Sequence, residues 1–261
     1  MTVRLGTAGR RSAPPARLAK LVVEERYVEP AERRALYRLS AALIAVGLIA
    51  FTILLIGVLT HTGFERLDQP VERWFDSQRD RELTASMVVL AVVFGPVALP
   101  IVVVVVLVTW IVRARHLWRP VLFAGGMGTG VALALVLAPI VRHPRPPIGR
   151  MLMEPDHTFS FPSGHVLGTS DFFLILAFLL ASRVRRTWFT VAAIAVALVG
   201  IGAQFISRLY LGYHWISDTS ASIALSMVVV GTLVAIDTRR TVRIPGERVT
   251  GELSAVQRDG T

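Results

Sequence analysis

Apolar residues run almost unbroken through six stretches of the chain, at about 39–60, 84–112, 120–141, 165–182, 188–206 and 215–236. A helix needs roughly 20 such residues to cross a hydrocarbon core about 30 Å thick, so each stretch predicts a membrane span. The fourth and fifth are short for a full crossing, which implies packing among the others. The second is long and carries Pro96 and Pro100, which predicts a kink. Between the first two, Phe64, Leu67, Val71, Trp74 and Phe75 recur at helical spacing among charges, the pattern of an amphipathic helix lying on a membrane surface. The fold class is therefore all-α, a polytopic bundle of six transmembrane helices over residues 39–236, with an arginine-rich tail at 1–38 and a polar tail at 237–261. No internal repeat or second domain is visible.

Composition agrees: 53% of residues are hydrophobic and the mean hydropathy is +0.58, above the roughly 45–50% apolar content of soluble domains. Cysteine is absent, which excludes a disulfide framework, a zinc–thiolate site and a cysteine nucleophile. The net charge of +10 changes the picture only once its carriers are placed. With the N-terminus inside, twenty of the 28 basic residues fall in 1–38, 113–119, 183–186 and beyond 237, all on one side. That is the positive-inside pattern, with both termini cytoplasmic, and it makes a nucleic-acid partner an unneeded explanation. The first 38 residues lack a long apolar run, so a cleaved signal peptide is not expected. Of the eight basic residues outside, four sit among six acids in 62–83, whereas Arg142, Arg145, Arg150 and Arg208 break the rule and call for another reason.

Polar residues crowd into RHPRPP at 142–147, FPSGH at 161–165 and SRLYLGYHWISD at 207–218, and the span count puts all three on the outer face. His214 and Asp218 are four apart and can share a helix face. A carboxylate on one imidazole nitrogen leaves the other free to attack or to accept a proton. Arg145 and Arg208 offer planar forks for phosphate oxygens. Gly164 and His165 open the fourth span, where free backbone N–H groups and the helix dipole favour an anion, and Ser163 adds a hydroxyl. An anion cradle with two histidines points to phosphoryl transfer through a histidine.

These segments resemble the three-part signature of the type 2 phosphatidic acid phosphatase superfamily. The second part is matched by Pro162, Ser163, Gly164 and His165, and the third, at full spacing, by Ser207, Arg208, His214 and Asp218. The first is matched only by Arg145 and Pro146, because Ala138 stands where the signature has lysine. The resemblance, over roughly residues 40–236, implies that His214 is the nucleophile, oriented by Asp218, and that His165 protonates the leaving group and then activates water. It further implies that Arg145, Arg208, Ser163 and the Gly164 amide hold the phosphoryl oxygens, with no metal and no cofactor. Arg142, one turn beyond Ala138, is either a substitute for the lysine or a headgroup-anchoring interfacial arginine.

The expected activity is hydrolysis of a lipid phosphate or diphosphate at the outer face, the family candidates being phosphatidic acid, phosphatidylglycerol phosphate and polyprenyl diphosphate. Transfer to another acceptor on the same scaffold, or non-catalytic lipid-phosphate binding or transport, are the alternatives. A rhomboid-like intramembrane serine protease fits Ser163 and His214 but leaves Arg145, Arg208 and Asp218 without work. Dominance of arginine over lysine, with much alanine and valine, suggests a GC-rich bacterial genome and the plasma membrane. His61, His116, His143 and His157 receive no role; Tyr210, Tyr213 and Trp215 are expected in an outer aromatic belt, and Trp110, Trp118 and Trp188 near the inner boundary. GGMGTG at 125–130 lacks the P-loop lysine, so Gly126 and Gly130 read as helix-packing residues. Asp171 is either a partner for a site arginine or a polar packing residue.

Overall fold

A computed structural model describes residues 19–250 and 253–256; the remainder of the arginine-rich and polar tails lies outside the described residues. Among the described residues eight α-helices follow one another: α1 (Pro30–Thr60), α2 (Asp68–Ser77), α3 (Arg81–Val93), α4 (Ala98–Arg113), α5 (Trp118–Val141), α6 (Gly164–Val184), α7 (Thr187–Tyr210) and α8 (Ile216–Thr241). Five are long and apolar enough to cross a membrane, and α3 with α4, bent by 49°, is together apolar enough for a sixth span broken in the middle. The protein is thus an integral membrane helix bundle. The break falls at Gly95–Pro96, while Pro100 sits in the first turn of α4, where a missing N–H costs nothing.

The helical part is longer than hydropathy suggests, because α1 starts at Pro30 and α8 runs to Thr241. The two spans expected to be short are not: α6 has 21 residues and α7 has 24. Their polar ends, such as Gly164 and Ser207 to Tyr210, are helical even though they are not lipid-like. The tails also contribute a small parallel sheet. Strand β1 (Val23–Tyr27) lies between β2 (Val242–Arg243) and β3 (Ser254–Val256) and buries Glu25 against Arg240 and Arg243.

The α8 helix is the axis of the bundle, with 61% of its apolar window buried against 17% for α7. Glycine permits the closest approaches. A Cβ on Gly47 of α1 would stand 2.7 Å from the Ala224 carbonyl of α8, and one on Gly126 of α5 would stand 2.5 Å from Ile175 Cδ1 of α6. Gly130 faces Asp171 so closely that a Cβ would overlap its Oδ2 at 1.9 Å, whereas Gly125 and Gly128 face open space. The packing reading of Gly126 and Gly130 is correct. Asp171 is the polar packing residue of the two readings: Ser226 of α8 donates to its Oδ1 at 2.6 Å, and no site arginine meets it.

Chain connectivity gathers two ends. The α5–α6 loop, the α7–α8 turn and α2 meet at one; the α4–α5 and α6–α7 turns and the small sheet meet at the other.

Candidate active site

The first end is built by interlocking loops. Gly212, at φ +75°, turns the chain after α7 where a side chain would strike the Arg150 carbonyl at 2.5 Å. Arg79 donates to the carbonyls of Arg150 and Tyr210, and Leu152 N–H donates to Leu211 O at 3.1 Å, fastening the α5–α6 loop to the α7–α8 turn. Ser222 Oγ donates to Ser163 O at 3.0 Å, which sets the start of α6 against α8. Ser163 caps α6, and Asp218, in the first turn of α8, accepts from the Trp215 N–H at 2.9 Å.

His214 lies between α7 and α8 and is buried. Its Nδ1 faces the Ser160 carbonyl at 2.9 Å, an atom that can only accept, so Nδ1 carries the proton. Its Nε2 faces Arg145 Nη1 at 3.2 Å, an atom that can only donate, so the lone pair is on Nε2. Burial, assisted by the charges of Arg145 and Arg208 against the opposing pull of Asp218, lowers the His214 pKa to about 4, and the ring is neutral at ordinary pH. The Asp218 carboxylate stands 3.6 Å from Nδ1, farther than the Ser160 carbonyl. The orienting acceptor of His214 is therefore Ser160, and Asp218 acts on it chiefly through charge.

Asp218 is fully buried and spends its hydrogen-bonding capacity elsewhere. His143 Nδ1 donates to Oδ1 at 2.8 Å, and Ser160 Oγ donates to Oδ2 beside the Trp215 N–H. His143, given no role from the sequence, is a site residue. Its separation of 75 residues from Asp218 hides the pairing, and no spacing within RHPRPP points to it. Burial lowers the His143 pKa, but the hydrogen bond and charge of Asp218, with Asp68 and Glu65, outweigh it and raise the value above the ordinary one. One ligand atom each of His143, Asp68 and Glu65 lie within 4.8 Å of one another, a group able to hold a cation. Asp68 already accepts from the N–H and Oγ of Ser217, and its burial lifts its own pKa to about 6.

Arg145 is held on every side: Nη1 donates to Tyr213 O at 2.7 Å, Nε to Thr158 O at 3.1 Å, and Nη2 to Thr158 Oγ1 and Asp156 at 2.9 Å. Arg208 is the opposite case. Buried on α7, it lies over the Tyr213 ring at 4.5 Å, and its Nε has no hydrogen-bond partner among the described residues. A buried guanidinium with an unpartnered N–H is suited to hold an anion. His165 on α6 is half-buried and feels the charges of Arg208, His214 and Arg145, so the motif histidines and arginines converge. Gly164 is exposed with nothing within 4 Å of its Cβ direction, leaving the amide end of α6 open. Gly95, at the break between α3 and α4, stands 3.6 Å from His165 Nε2 by the same measure.

Arg142 is not brought to the others. It ends α5 in a left-handed conformation at φ 54°, is exposed, and turns its Nε back to Pro139 O at 3.0 Å. The aromatic belt is also corrected: Tyr210 and Tyr213 are buried, Tyr210 OH bonding Asp80 and Thr84 on the α3 side, and Tyr213 OH donating to Glu154 O at 2.6 Å. Arg150 has its reason in Glu72 of α2, to which it is salt-bridged.

Comparison with known proteins meets this geometry from outside. The pattern of the PAP2 superfamily matches residues 119–241, which contain all three motifs. Phosphatidylglycerophosphatase B of Bacillus subtilis (strain 168) is 28% identical over 120 residues, 44% of this chain and 56% of the relative, so the match spans about half the length of that curated protein. A solved structure, the first transmembrane PAP2 type phosphatidylglycerolphosphate phosphatase from Bacillus subtilis, is similar at TM-score 0.68 and 21% identity, over 77% of this chain and 96% of that one. That likeness is one of fold. The family pattern, the fold and the clustered histidines and arginines fall on the same helices, and over residues 119–241 this membrane protein is similar to the PAP2 superfamily.

Proposed function

We propose that the chain is a phosphatase hydrolysing a lipid phosphate or diphosphate through a phosphohistidine on His214. The observation that carries the reading is a buried, neutral imidazole whose Nε2 lone pair faces one guanidinium, with a second, Arg208, whose Nε is unpartnered among the described residues, close enough to act on it. The negative charge of the bound phosphate lets His165 take up a proton; Nε2 of His214 then attacks phosphorus as the bond to the leaving oxygen breaks, and His165 gives that oxygen its proton. The new imidazolium keeps Nδ1–H on Ser160 O, and the Asp218 charge offsets the one it gains. His165, now neutral, takes a proton from water, which attacks phosphorus and frees His214 with release of phosphate. Arg145, Arg208 and the Gly164 amide supply donors to the equatorial oxygens, where charge gathers in the transition state. No step needs a metal.

An apolar cavity of about 560 Å³ supports a lipid substrate. Phe94, Leu99, Leu107, Met127 and Leu135 line it between α4, α5 and α6, and Gly164 and His165 stand at its polar end. A headgroup phosphate at His214 can thus leave its chain among apolar side chains. The relatives' names make phosphatidylglycerol phosphate the leading candidate within the class. The arginine distribution supports a site on the outer face of a bacterial plasma membrane.

Phosphate release from phosphatidylglycerol phosphate, phosphatidic acid, a polyprenyl diphosphate and a soluble phosphomonoester, measured in detergent with EDTA, tests the reading. Expected are release from at least one lipid, abolition in His214→Ala, and little release from the soluble ester. Release unchanged by His214→Ala, or lost on chelation, overturns it.

A further inference from the structure

Five arginines meet in a second cavity, at the end of the bundle opposite the histidines. Arg26 comes from β1, Arg113 and Arg115 from the end of α4 and the turn after it, Arg119 from the first turn of α5, and Arg183 from the end of α6. The cavity has a volume of about 460 Å³, enough for a headgroup-sized molecule. A positive-inside surface by itself explains arginines that reach into water. It does not explain Arg26, which is 8% exposed, or two buried nitrogens on the cavity wall, Arg26 Nε and His116 Nδ1, that have no hydrogen-bond partner among the described residues.

Acids are too few to balance these groups. Glu24 is the only acid on the wall, and it already meets Arg183 at 2.9 Å and His116 at 3.4 Å. Asp237, close enough to act on Arg26 and Arg119 electrostatically, accepts from Trp118 Nε1 at 2.9 Å. Arg26 and Arg119 each spend a donor on a backbone carbonyl of α6, Ser182 O and Leu179 O, which fixes both guanidinium groups. Arg113 and Arg115 are exposed at the rim, without a hydrogen-bond or ion-pair partner among the described residues. Fixed cations below, exposed cations at the rim and a buried N–H unpartnered among the described residues form a receptor for a multiply charged oxyanion. Trp110, Trp118 and Leu180 give the same cavity an apolar side, as a pocket at the bilayer surface requires.

We infer that this cavity is a second anion site that binds a phosphate group, carried by an anionic lipid headgroup or free in solution, and that it is separate from the candidate active site. Its geometry stands whether or not the chain is a phosphatase.

The test compares the wild type with the double variant Arg113→Gln/Arg115→Gln, which removes two exposed rim cations, and with Arg26→Gln as a second variant. Calorimetric titration with inorganic phosphate is expected to give two binding events in the wild type, one at each end of the bundle. The event belonging to this cavity is expected to weaken at least tenfold in the double variant. Native mass spectrometry with phosphatidylglycerol or phosphatidylcholine distinguishes the sources. Loss of one retained phosphatidylglycerol in the variant, with phosphatidylcholine unaffected, identifies a lipid headgroup; loss confined to inorganic phosphate identifies a soluble ion. Phosphate and phosphatidylglycerol binding by both variants equal to the wild type overturns the inference. His214→Ala, which alters only the far end, is expected to keep the cavity's binding event, so failure of the phosphatase reading and failure of this one are read separately.

Discussion

Replacing His143 by alanine removes the 2.8 Å hydrogen bond from Nδ1 to Asp218 Oδ1, in a place where both side chains are buried. Removing the sole partner of a buried charge costs about 3–5 kcal/mol. Asp218 retains two donors on its other oxygen, Ser160 Oγ and the Trp215 N–H, so the expected cost is that of one charge-assisted bond, about 1.5–3 kcal/mol. If that loss is felt when His214 becomes cationic, kcat falls about 10- to 150-fold, while KM changes little because His143 touches no phosphate donor. His143→Asn, whose amide nitrogen stands near the position of Nδ1, should recover most of the loss. The pH profile supplies a further readout. The His143 pKa is raised from its ordinary 6.5, so its contribution is complete below that value and is lost as pH rises through the folded one. Wild-type kcat and thermal stability should therefore decline on the alkaline side, and the asparagine variant should lack that limb. Initial rates of phosphate release against pH, with thermal unfolding in the same detergent, measure both. A folded His143→Ala protein with wild-type kcat, or an alkaline limb shared by the wild type and His143→Asn, refutes the reasoning.

Gly130→Ala should lower stability by about 1–3 kcal/mol, because its Cβ meets Asp171 Oδ2 at 1.9 Å, whereas Gly128→Ala, with nothing within 4 Å, should not; thermal unfolding in detergent compares them. Arg208→Ala should reduce kcat by about 100-fold or more, and Arg208→Lys should recover little, since an ammonium has neither the fork nor the planar stack on Tyr213. Arg142→Ala should change turnover less than threefold, because its guanidinium is exposed and turned to Pro139 O; a loss comparable to that of Arg145→Ala would return it to the site.

Much of this was legible in the residues. Hydropathy yields the spans, and two short motifs bring His165, Arg208, His214 and Asp218 to one membrane face from the sequence alone. Helix lengths were underestimated for a physical reason: Ser207, Arg208 and Tyr210 are helical but sit among polar partners, so no apolar window finds them. Contacts between segments far apart in the chain were invisible. The Asp218 bond to His143 and the Ser160 carbonyl behind His214 arise only when the α5–α6 loop folds over the start of α8. For Arg142 the sequence left two readings open, and its exposed guanidinium, turned back to Pro139 O, favours the interfacial arginine over the lysine substitute. Asp171 could be resolved only by its neighbours, Gly130 and Ser226.

The central claim is a covalent phosphoryl group on His214 Nε2, and trapping it is the most direct measurement. A lipid phosphate labelled in its phosphoryl group is mixed with the protein and quenched in alkali, where phosphohistidine survives, and the labelled peptide is sequenced by mass spectrometry. The account predicts label on His214, more of it in His165→Asn because water is then poorly activated, and none in His214→Ala. Turnover without label on His214, or label unchanged in His214→Ala, contradicts it.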